Sequence, residues 1–390
     1  MLIIEFLTIL TVLNTRVKYP ANQAYFSITQ SMKTRISSII PFIATALLVI
    51  ALSSCRSAGP GNMVRDRTGY INAISDSWKN QMLLNIVKLR YADAPVFLDI
   101  ASIINSYETK GEFSAGGIWE QNGIGLMPSI GGGASFSDKP TVSYSPLQGN
   151  KFAMSLMNPI GPSTVMGLVY AGYPIDMIFR LMINSINEIN NSYSGSMRKR
   201  EASPEFYPLL DCLKKIQNSY GFWVSQDKSK DGVIEFFMKD IADSSLANDI
   251  FRIRKSLGIP DIASSYKIAY GSHRADSFEI VMKTRSFLEI LTDVASTVEV
   301  PQEHLTSNQA FPANELKGPD GTQLQPFIKI HSCTGIPKNA FFSIRYNGYW
   351  FYIDKGDFTS KRAFSFLLLL SSLNDTDDKK GSPILTIPVN

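Results

Sequence analysis

The chain has 390 residues, of which 44% are hydrophobic and 18% are charged, and its mean hydropathy is close to zero. This composition excludes a disordered acidic protein, and 38 basic against 34 acidic residues leave a net charge of only +4, which argues against a nucleic-acid-binding surface. Three cysteines are too few for a disulfide-dense scaffold, and no apolar run reaches the roughly 20 residues of a membrane-spanning helix. At about 150 residues per domain, the length predicts two or three domains.

The first 31 residues do not fit a targeting signal. Their apolar run, Met1 to Leu13, is too short to cross a membrane, contains Glu5 and is followed by polar residues. We therefore predict that translation starts at Met32 and that residues 1–31 are a mis-assigned prefix.

The next segment has the order basic, apolar, small, cysteine. Two basic residues precede the apolar stretch 39–52, which ends in Leu52-Ser53-Ser54-Cys55. In an export signal the basic end stays in the cytoplasm, the short apolar stretch enters the translocon, and small residues expose the backbone to a peptidase. The alternative is a buried core helix followed by an ordinary thiol at Cys55. The order of the segment favours export, with cleavage between Ser54 and Cys55.

Residues 32–55 resemble the precursor of a bacterial lipoprotein, because Leu52-Ser53-Ser54-Cys55 matches the lipobox of that family position by position. The resemblance implies a signal peptide over 32–54, a diacylglyceryl group on the sulfur of Cys55 and an acylated amino terminus after cleavage. Each buried CH₂ of these chains contributes about 0.8 kcal/mol, so they would anchor the chain stably to a membrane from the periplasm. In this family an Asp after the cysteine commonly retains the protein at the inner membrane. Arg56 stands there instead, which favours the outer membrane.

The mature chain is expected to start with a short tether, 55–61, and an amphipathic helix. Apolar residues recur at three- and four-residue spacing from Ile71 to Leu89, and the helix should end near Asp93-Ala94-Pro95. From Val96 to about Tyr144 the pattern changes to alternation with many glycines, which predicts strands joined by glycine turns. Gly131-Gly132-Gly133 is interpreted as one such flexible turn.

The glycine-rich strands have two interpretations. Phe113, Ala115 and Gly117 alternate with small residues, and the alternation returns at 134–136 and 142–144. Small polar residues on one face of strands about ten residues long are typical of outer-membrane strands, and oligomeric lipoproteins can build a pore from hairpins of several subunits. A soluble two-sided sheet produces the same pattern.

The rest of the chain mixes helices and strands without regular βαβ alternation, which predicts the α+β class in two or three blocks. Short helices are expected over 149–190, and the Ser-rich segment 191–204 is interpreted as a linker. The predicted blocks are an α/β block with Gly-rich strands, 62–190; the linker, 191–204; an α+β block, 205–303; a polar loop, 304–326; and a hairpin, helix and strand block, 327–390.

The clearest local structure is a hairpin over 341–353. Asn347-Gly348 is the dipeptide that a two-residue type I′ turn prefers, so Arg345 should pair with Trp350 and form a cation–π contact. Trp350, Tyr352 and Arg345 are therefore a candidate aromatic contact surface for a sugar ring of peptidoglycan. The alternative is a core hairpin with a half-exposed back face.

The sequence carries no recognisable catalytic constellation. We expect no metal site and no cofactor, because the three histidines, each interpreted as a surface or loop residue, have no His or Cys partner at ligand spacing. The Ser-x-x-Lys spacing of envelope transpeptidases occurs at Ser225 and Ser264, but without Ser-Asp-Asn or Lys-Thr-Gly partners. Cys212 and Cys333 could form one disulfide in the periplasm, although Cys212 also fits a free buried thiol on a helix.

Together these features predict a non-enzymatic, lipid-anchored envelope protein with a structural or interaction role at the periplasmic face of the outer membrane. Its expected partners are the membrane, through the lipid, and other envelope proteins or peptidoglycan, with no nucleic acid. The alternatives are an oligomeric outer-membrane pore or secretion-assembly lipoprotein, and a cell-wall-acting hydrolase or transferase. Removal of residues 1–54 would take four basic residues and one acidic residue, so the net charge would fall from +4 to +1.

Overall fold

The computed structural model describes residues 60–118, 127–195, 198–227, 233–239, 244–261, 263, 265–312, 317, 321–373 and 385–388. The prefix 1–31, the signal peptide 32–54 and the lipidation residue Cys55 lie outside the described residues. The fold is α+β, as predicted. Contacts divide the chain into a unit that ends at Ile74 and a compact unit from Ser75 to Asn390, which holds nearly all of the elements below.

A long helix and a long hairpin open the described chain. Helix α1 spans Pro60–Arg90, so it includes the last two residues of the expected tether 55–61. Strands β1 (Phe97–Ile118) and β2 (Met127–Leu147) pair antiparallel along their whole length, and β14 (Leu385–Pro388) adds a third strand beside β2.

The glycines of this region lie mostly in strands, not in turns. Gly111, Gly116 and Gly117 are within β1, and Gly131-Gly132-Gly133, the predicted flexible turn, pairs with residues 112–114. That prediction is wrong because a continuous ladder of cross-strand hydrogen bonds holds glycine in the extended conformation that its own preferences do not enforce. Gly123 and Gly125 lie outside the described residues.

Three short helices follow, as predicted: α2 (Asn150–Met157), α3 (Pro162–Tyr170) and α4 (Ile175–Met182). The expectation of helix up to residue 190 is wrong for the last part, which forms the strands β3 (Ile183–Ile186) and β4 (Ile189–Asn190). Asn187 and Glu188 have positive φ values of 41° and 71°, which suits a tight hairpin turn between these strands.

One six-stranded sheet joins the predicted blocks. It contains β7 (Phe222–Asp227), β8 (Val233–Met238), β9 (Ser265–Tyr270) and β10 (Glu279–Thr284) in the order β4-β3-β10-β9-β8-β7, with only β9 and β10 parallel. Helices α5 (Phe206–Asn218) and α6 (Ser244–Leu257) belong to the same block. Since β3 and β4 precede residue 191, the sheet crosses the predicted boundary between blocks.

The segment 191–204 is part of the folded body rather than a linker. It contains a two-stranded sheet of β5 (Tyr193–Ser194) and β6 (Lys199–Arg200), and Asn191, Tyr193 and Ser194 are buried. Its Ser-rich composition is misleading because Arg200 and the buried Arg285, described below, donate hydrogen bonds to the carbonyls of Asn191 and Ser192.

The last part of the chain follows the prediction closely. Helix α7 (Phe287–Ala295) begins with a capping box of Ser286 and Glu289, and a short helix, α8 (Gln302–Thr306), overlaps the start of the predicted loop. A three-stranded sheet consists of β11 (His331–Cys333), β12 (Ala340–Tyr346) and β13 (Tyr349–Asp354), and α9 (Phe358–Leu373) follows it. None of the described helices is long and apolar enough to span a membrane. One hydrophobic core runs from Met82 to Leu370.

Candidate functional site: the long hairpin and its root

The register of β1 and β2 sorts the residues of the hairpin into two faces. Cross-strand partners lie on the same face of an antiparallel pair, and successive residues alternate between faces. One face, here called the polar face, collects small polar and charged residues: Ser106, Glu108, Lys110, Glu112, Ser114, Gly131, Gly133, Ser135, Ser137 and Lys139. The other, here called the apolar face, has Tyr107 and Asp138 at the end nearer the root and then collects mainly apolar residues and glycine: Thr109, Gly111, Phe113, Ala115, Gly117, Pro128, Ile130, Gly132, Ala134 and Phe136.

The outer edge of β1 is capped where the hairpin leaves the body. The side-chain amide of Gln81 donates to the carbonyl of Leu98 at 3.1 Å and accepts from the Leu98 N–H at 2.8 Å. One turn further along α1, Asn85 makes the same pair of bonds with Val96, at 2.8 and 2.9 Å. These two amides, four residues apart on one helix face, occupy the strand edge as a neighbouring strand would.

The outer edge of β2 is capped at the same end by β14, which pairs with residues 141–144. Among the strands that the structure describes, none pairs with either outer edge beyond this root. Within the described part of the chain, the hairpin therefore has closed edges at its root and no strand partner along its outer edges beyond the root.

Prolines mark the two ends of the open edge of β2. The backbone N–H and C=O of Leu98 point away from β2, because both bond to Gln81. Directly opposite residues of an antiparallel pair share this orientation, so the backbone nitrogen of Pro146, the partner of Leu98, also points outward. Pro140 and Pro128 are an even number of residues from Pro146 on β2, and the register shift lies on β1, so both have the same outward phase. Proline has no N–H, so only residues 129–139 offer an uninterrupted set of outward donors.

A cavity of about 270 Å³ lies at the root of the hairpin. Aromatic and aliphatic side chains from α1, both strands, α2 and α9 line it: Trp78, Phe97, Leu147, Phe152, Leu156 and Leu368. Trp78 is 48% exposed beside this opening. An exposed tryptophan beside a mainly apolar cavity is typical of a surface that binds a partner group.

A buried arginine network fixes the segment next to the central sheet. Arg285 is fully buried, and its guanidinium donates to Asp293 at 2.8 Å and to the carbonyls of Arg180, Leu181 and Ser192. Arg200 donates to the carbonyls of Asn184 and Asn191, and burial lowers its pKa. Because most of these donors go to backbone carbonyls, the network is structural, and it holds the described residues around Asn191 and Ser192 against the body.

The end of α1 is fixed by a second polar cluster. Arg90 is fully buried and donates to the carbonyls of Ser296 and Pro312, and burial lowers its pKa to about 10. Tyr91 contacts the ring nitrogen Nδ1 of His304 at 2.7 Å. His304 is buried, so its interpretation as a surface or loop residue is wrong: the ring fills the space between α1 and the β12–β13 hairpin, where it also meets Tyr349.

The β12–β13 hairpin has the predicted register, with Arg345 opposite Trp350 and Ser343 opposite Tyr352. The expected cation–π contact between Arg345 and Trp350 is not among those that the described residues form. On the other edge of β13, which pairs with β11, Trp350 lies opposite Cys333, and the Tyr352 ring meets the His331 ring at 5.5 Å. Both aromatic residues are half-buried, and their role as a sugar-contact surface stays a prediction.

The two described cysteines are free, so the candidate disulfide between them is not formed in the structure. Cys212 is buried on α5 and donates to Asp249 at 3.5 Å, and burial raises the pKa of its thiol. Cys333 lies in β11 and donates to the carbonyl of Gly335 at 3.1 Å. Each sulfur has a separate hydrogen-bond partner, which fits the alternative of a free buried thiol for Cys212.

The periodicity of the sequence did not reveal the edge caps or the buried arginines. The signal for the caps was the i, i+4 spacing of Gln81 and Asn85, and Arg285 stood directly before a capping box. No group of three or more His, Cys, Asp and Glu residues in the described part of the chain is arranged to hold a metal ion. No protein-family model, no curated protein and no solved structure matches this chain.

Proposed function

We propose that this chain is a lipid-anchored protein of the bacterial cell envelope with a structural or interaction role at the periplasmic face of the outer membrane. The observation that carries this proposal is the order of residues 32–55, which resembles a lipoprotein precursor and ends in Leu52-Ser53-Ser54-Cys55. The exposed Trp78 beside the root cavity supports a role in binding other envelope components.

The anchor is tested by labelling cells with radioactive palmitate. The unchanged chain should be labelled and sediment with the outer membrane, and the Cys55→Ala variant should lose the label. The Cys212→Ala variant is the control, because its thiol is buried in the body. Labelling that persists in Cys55→Ala would contradict the lipid anchor at this residue.

A second function is favoured by the two faces of the long hairpin: an outer-membrane pore or a secretion assembly. A tilted strand needs about 9–11 residues to cross a bilayer, with apolar residues toward lipid and polar residues toward the interior. The apolar face runs from Thr109 to Gly117 on β1 and from Pro128 to Phe136 on β2, which is nine residues per strand. Tyr107, two residues before this band, suits the membrane–water interface, where tyrosine is enriched.

Neighbouring residues on opposite faces provide a matched test. A lysine on a lipid-facing position near the membrane centre costs about 2–4 kcal/mol, whereas a lysine on the aqueous side is tolerated. Phe113→Lys should therefore abolish conductance in planar bilayers, and Ser114→Lys should keep conductance and shift selectivity toward anions. Equal behaviour of the two variants, or no conductance of the unchanged lipidated protein, would contradict membrane entry of the hairpin.

A further inference from the structure

We propose that the open edge of β2 over residues 129–139 pairs with the open edge of β1 in a second copy of this chain, so that several hairpins form one continuous sheet. This inference rests on the proposed entry of the hairpin into the membrane. It adds the identity of the partner and the surface through which the partner binds.

In a bilayer, the outer edges of the hairpin need hydrogen-bond partners. Lipid offers no partner to backbone N–H and C=O groups, so a strand edge within the hydrocarbon region must be paired. Of the described strands, β14 covers only residues 141–144 of the β2 edge, and Gln81 and Asn85 bind only Val96 and Leu98 at the β1 edge. As far as the described strands show, a single hairpin thus brings two edges without a strand partner into the membrane.

The outer edges of β1 and β2 are complementary to each other. In a row of identical hairpins, β2 of one copy runs antiparallel to β1 of the next, which is the same arrangement as within each hairpin. This head-to-tail contact uses two different edges, so each copy offers one edge to each neighbour and the row can close into a ring. Polar faces then lie together on one side of the sheet and apolar faces on the other.

The segment of β2 that can pair, residues 129–139, has defined ends. Pro128 and Pro140 lack the outward N–H that would donate to a carbonyl of an adjoining strand, and β14 closes the edge beyond Pro140. Eight of the eleven residues between the prolines, 129–136, belong to the band of the apolar face that is proposed to cross the bilayer. Pairing is therefore blocked at the root, where the hairpin joins the body, and permitted over residues 129–139.

The test removes one outward N–H without disturbing the hairpin. Ala134 has the same outward phase as Pro128 and Pro140, so Ala134→Pro removes a donor from the outer edge and leaves the β1–β2 ladder its donors. Ala134→Val keeps the N–H and is the matched control. The full-length lipidated protein is extracted from outer membranes in mild detergent, and its mass is measured by light scattering.

We expect the unchanged protein and Ala134→Val to be oligomers of one defined size. Ala134→Pro should shift at least tenfold toward the monomer, with an unchanged circular dichroism spectrum. An oligomer that Ala134→Pro leaves intact, or an unchanged protein that conducts in bilayers but is a monomer in detergent, overturns the edge pairing. An unchanged protein without any conductance overturns the membrane entry itself, so the two failures are distinguishable.

Discussion

Gln81 and Leu98 hold each other by two hydrogen bonds, one in each direction between a side-chain amide and a peptide group. Asn85 and Val96 repeat the arrangement one helical turn away. A helix thereby closes the edge of a strand, at the root of the hairpin, that would otherwise expose its backbone. Strand edges that stay open promote association, so these caps protect the root from the edge pairing that we propose for residues 129–139.

Replacing Gln81 should open the edge at the root. Gln81→Met keeps the length of the side chain but leaves the N–H and the carbonyl of Leu98 without their partner, which costs about 1–3 kcal/mol for a buried group. Hydrogen exchange read by mass spectrometry should show faster exchange over residues 96–99. Gln309→Met, at an exposed position, is the control, and equal exchange in both variants would refute the cap.

Removing the buried charge of Arg285 should strongly destabilise the protein. Arg285→Met leaves Asp293 without its cation and three carbonyls without a donor, and breaking one partner of a buried pair costs about 3–5 kcal/mol. Arg198→Met is the matched control: its bond to Glu289 is solvent-exposed and contributes about 0–1 kcal/mol. Thermal unfolding in detergent compares them, and similar midpoints for both variants would show that the network is not structural.

Stability should fall in alkaline solution because of Tyr91. Burial, reinforced by the nearby Tyr346, raises the pKa of Tyr91 from 10.0 to about 12. The unfolded chain then loses this proton at lower pH than the folded chain, so the contribution is complete below pH 10 and is lost as the pH rises toward 12. Unfolding midpoints measured from pH 8 to 12 should show a shallower decline for Tyr91→Phe. Tyr220→Phe, at an 89% exposed position, should keep the full decline.

The turn of the β12–β13 hairpin should require Gly348. Its φ is 84°, in the left-handed region, and a residue with a Cβ atom costs about 1–2 kcal/mol there. Gly348→Ala should lower the unfolding midpoint, whereas Gly335→Ala should leave it unchanged. The control is sound because Gly335 has no positive φ and its added Cβ would meet no atom within 4 Å. A midpoint equal to that of Gly335→Ala would exclude the predicted turn constraint.

Local features were predictable wherever neighbouring residues alone carry the physical cause. The Asn347-Gly348 turn depends on the backbone sterics of two adjacent residues, both of which have positive φ. The confirmed register from Tyr346 opposite Tyr349 to Ser343 opposite Tyr352 follows from the turn, because a two-residue loop leaves only one alignment of the strands.

What failed in prediction depended on residues far along the chain. The segment Ile183–Ile186 is predicted to be helical, but it forms a strand because it pairs with the edge of β10, about 100 residues later in the chain. The segment 191–204 looked like a linker, but Arg285 satisfies the carbonyl of Ser192 from 93 residues away. His304 looked like a loop residue, but Tyr91 and Tyr349 enclose it.

The sequence by itself determined the alternation along the glycine-rich strands and the lipobox pattern at Cys55, since both are properties of neighbouring residues. Only the tertiary structure decided that the two strands pair in one long register, which assigns Phe113 and Ser114 to opposite faces together with their cross-strand partners. Tertiary structure also decided where the edges close, because hydrogen bonds from α1 and β14 to the root depend on packing between distant segments.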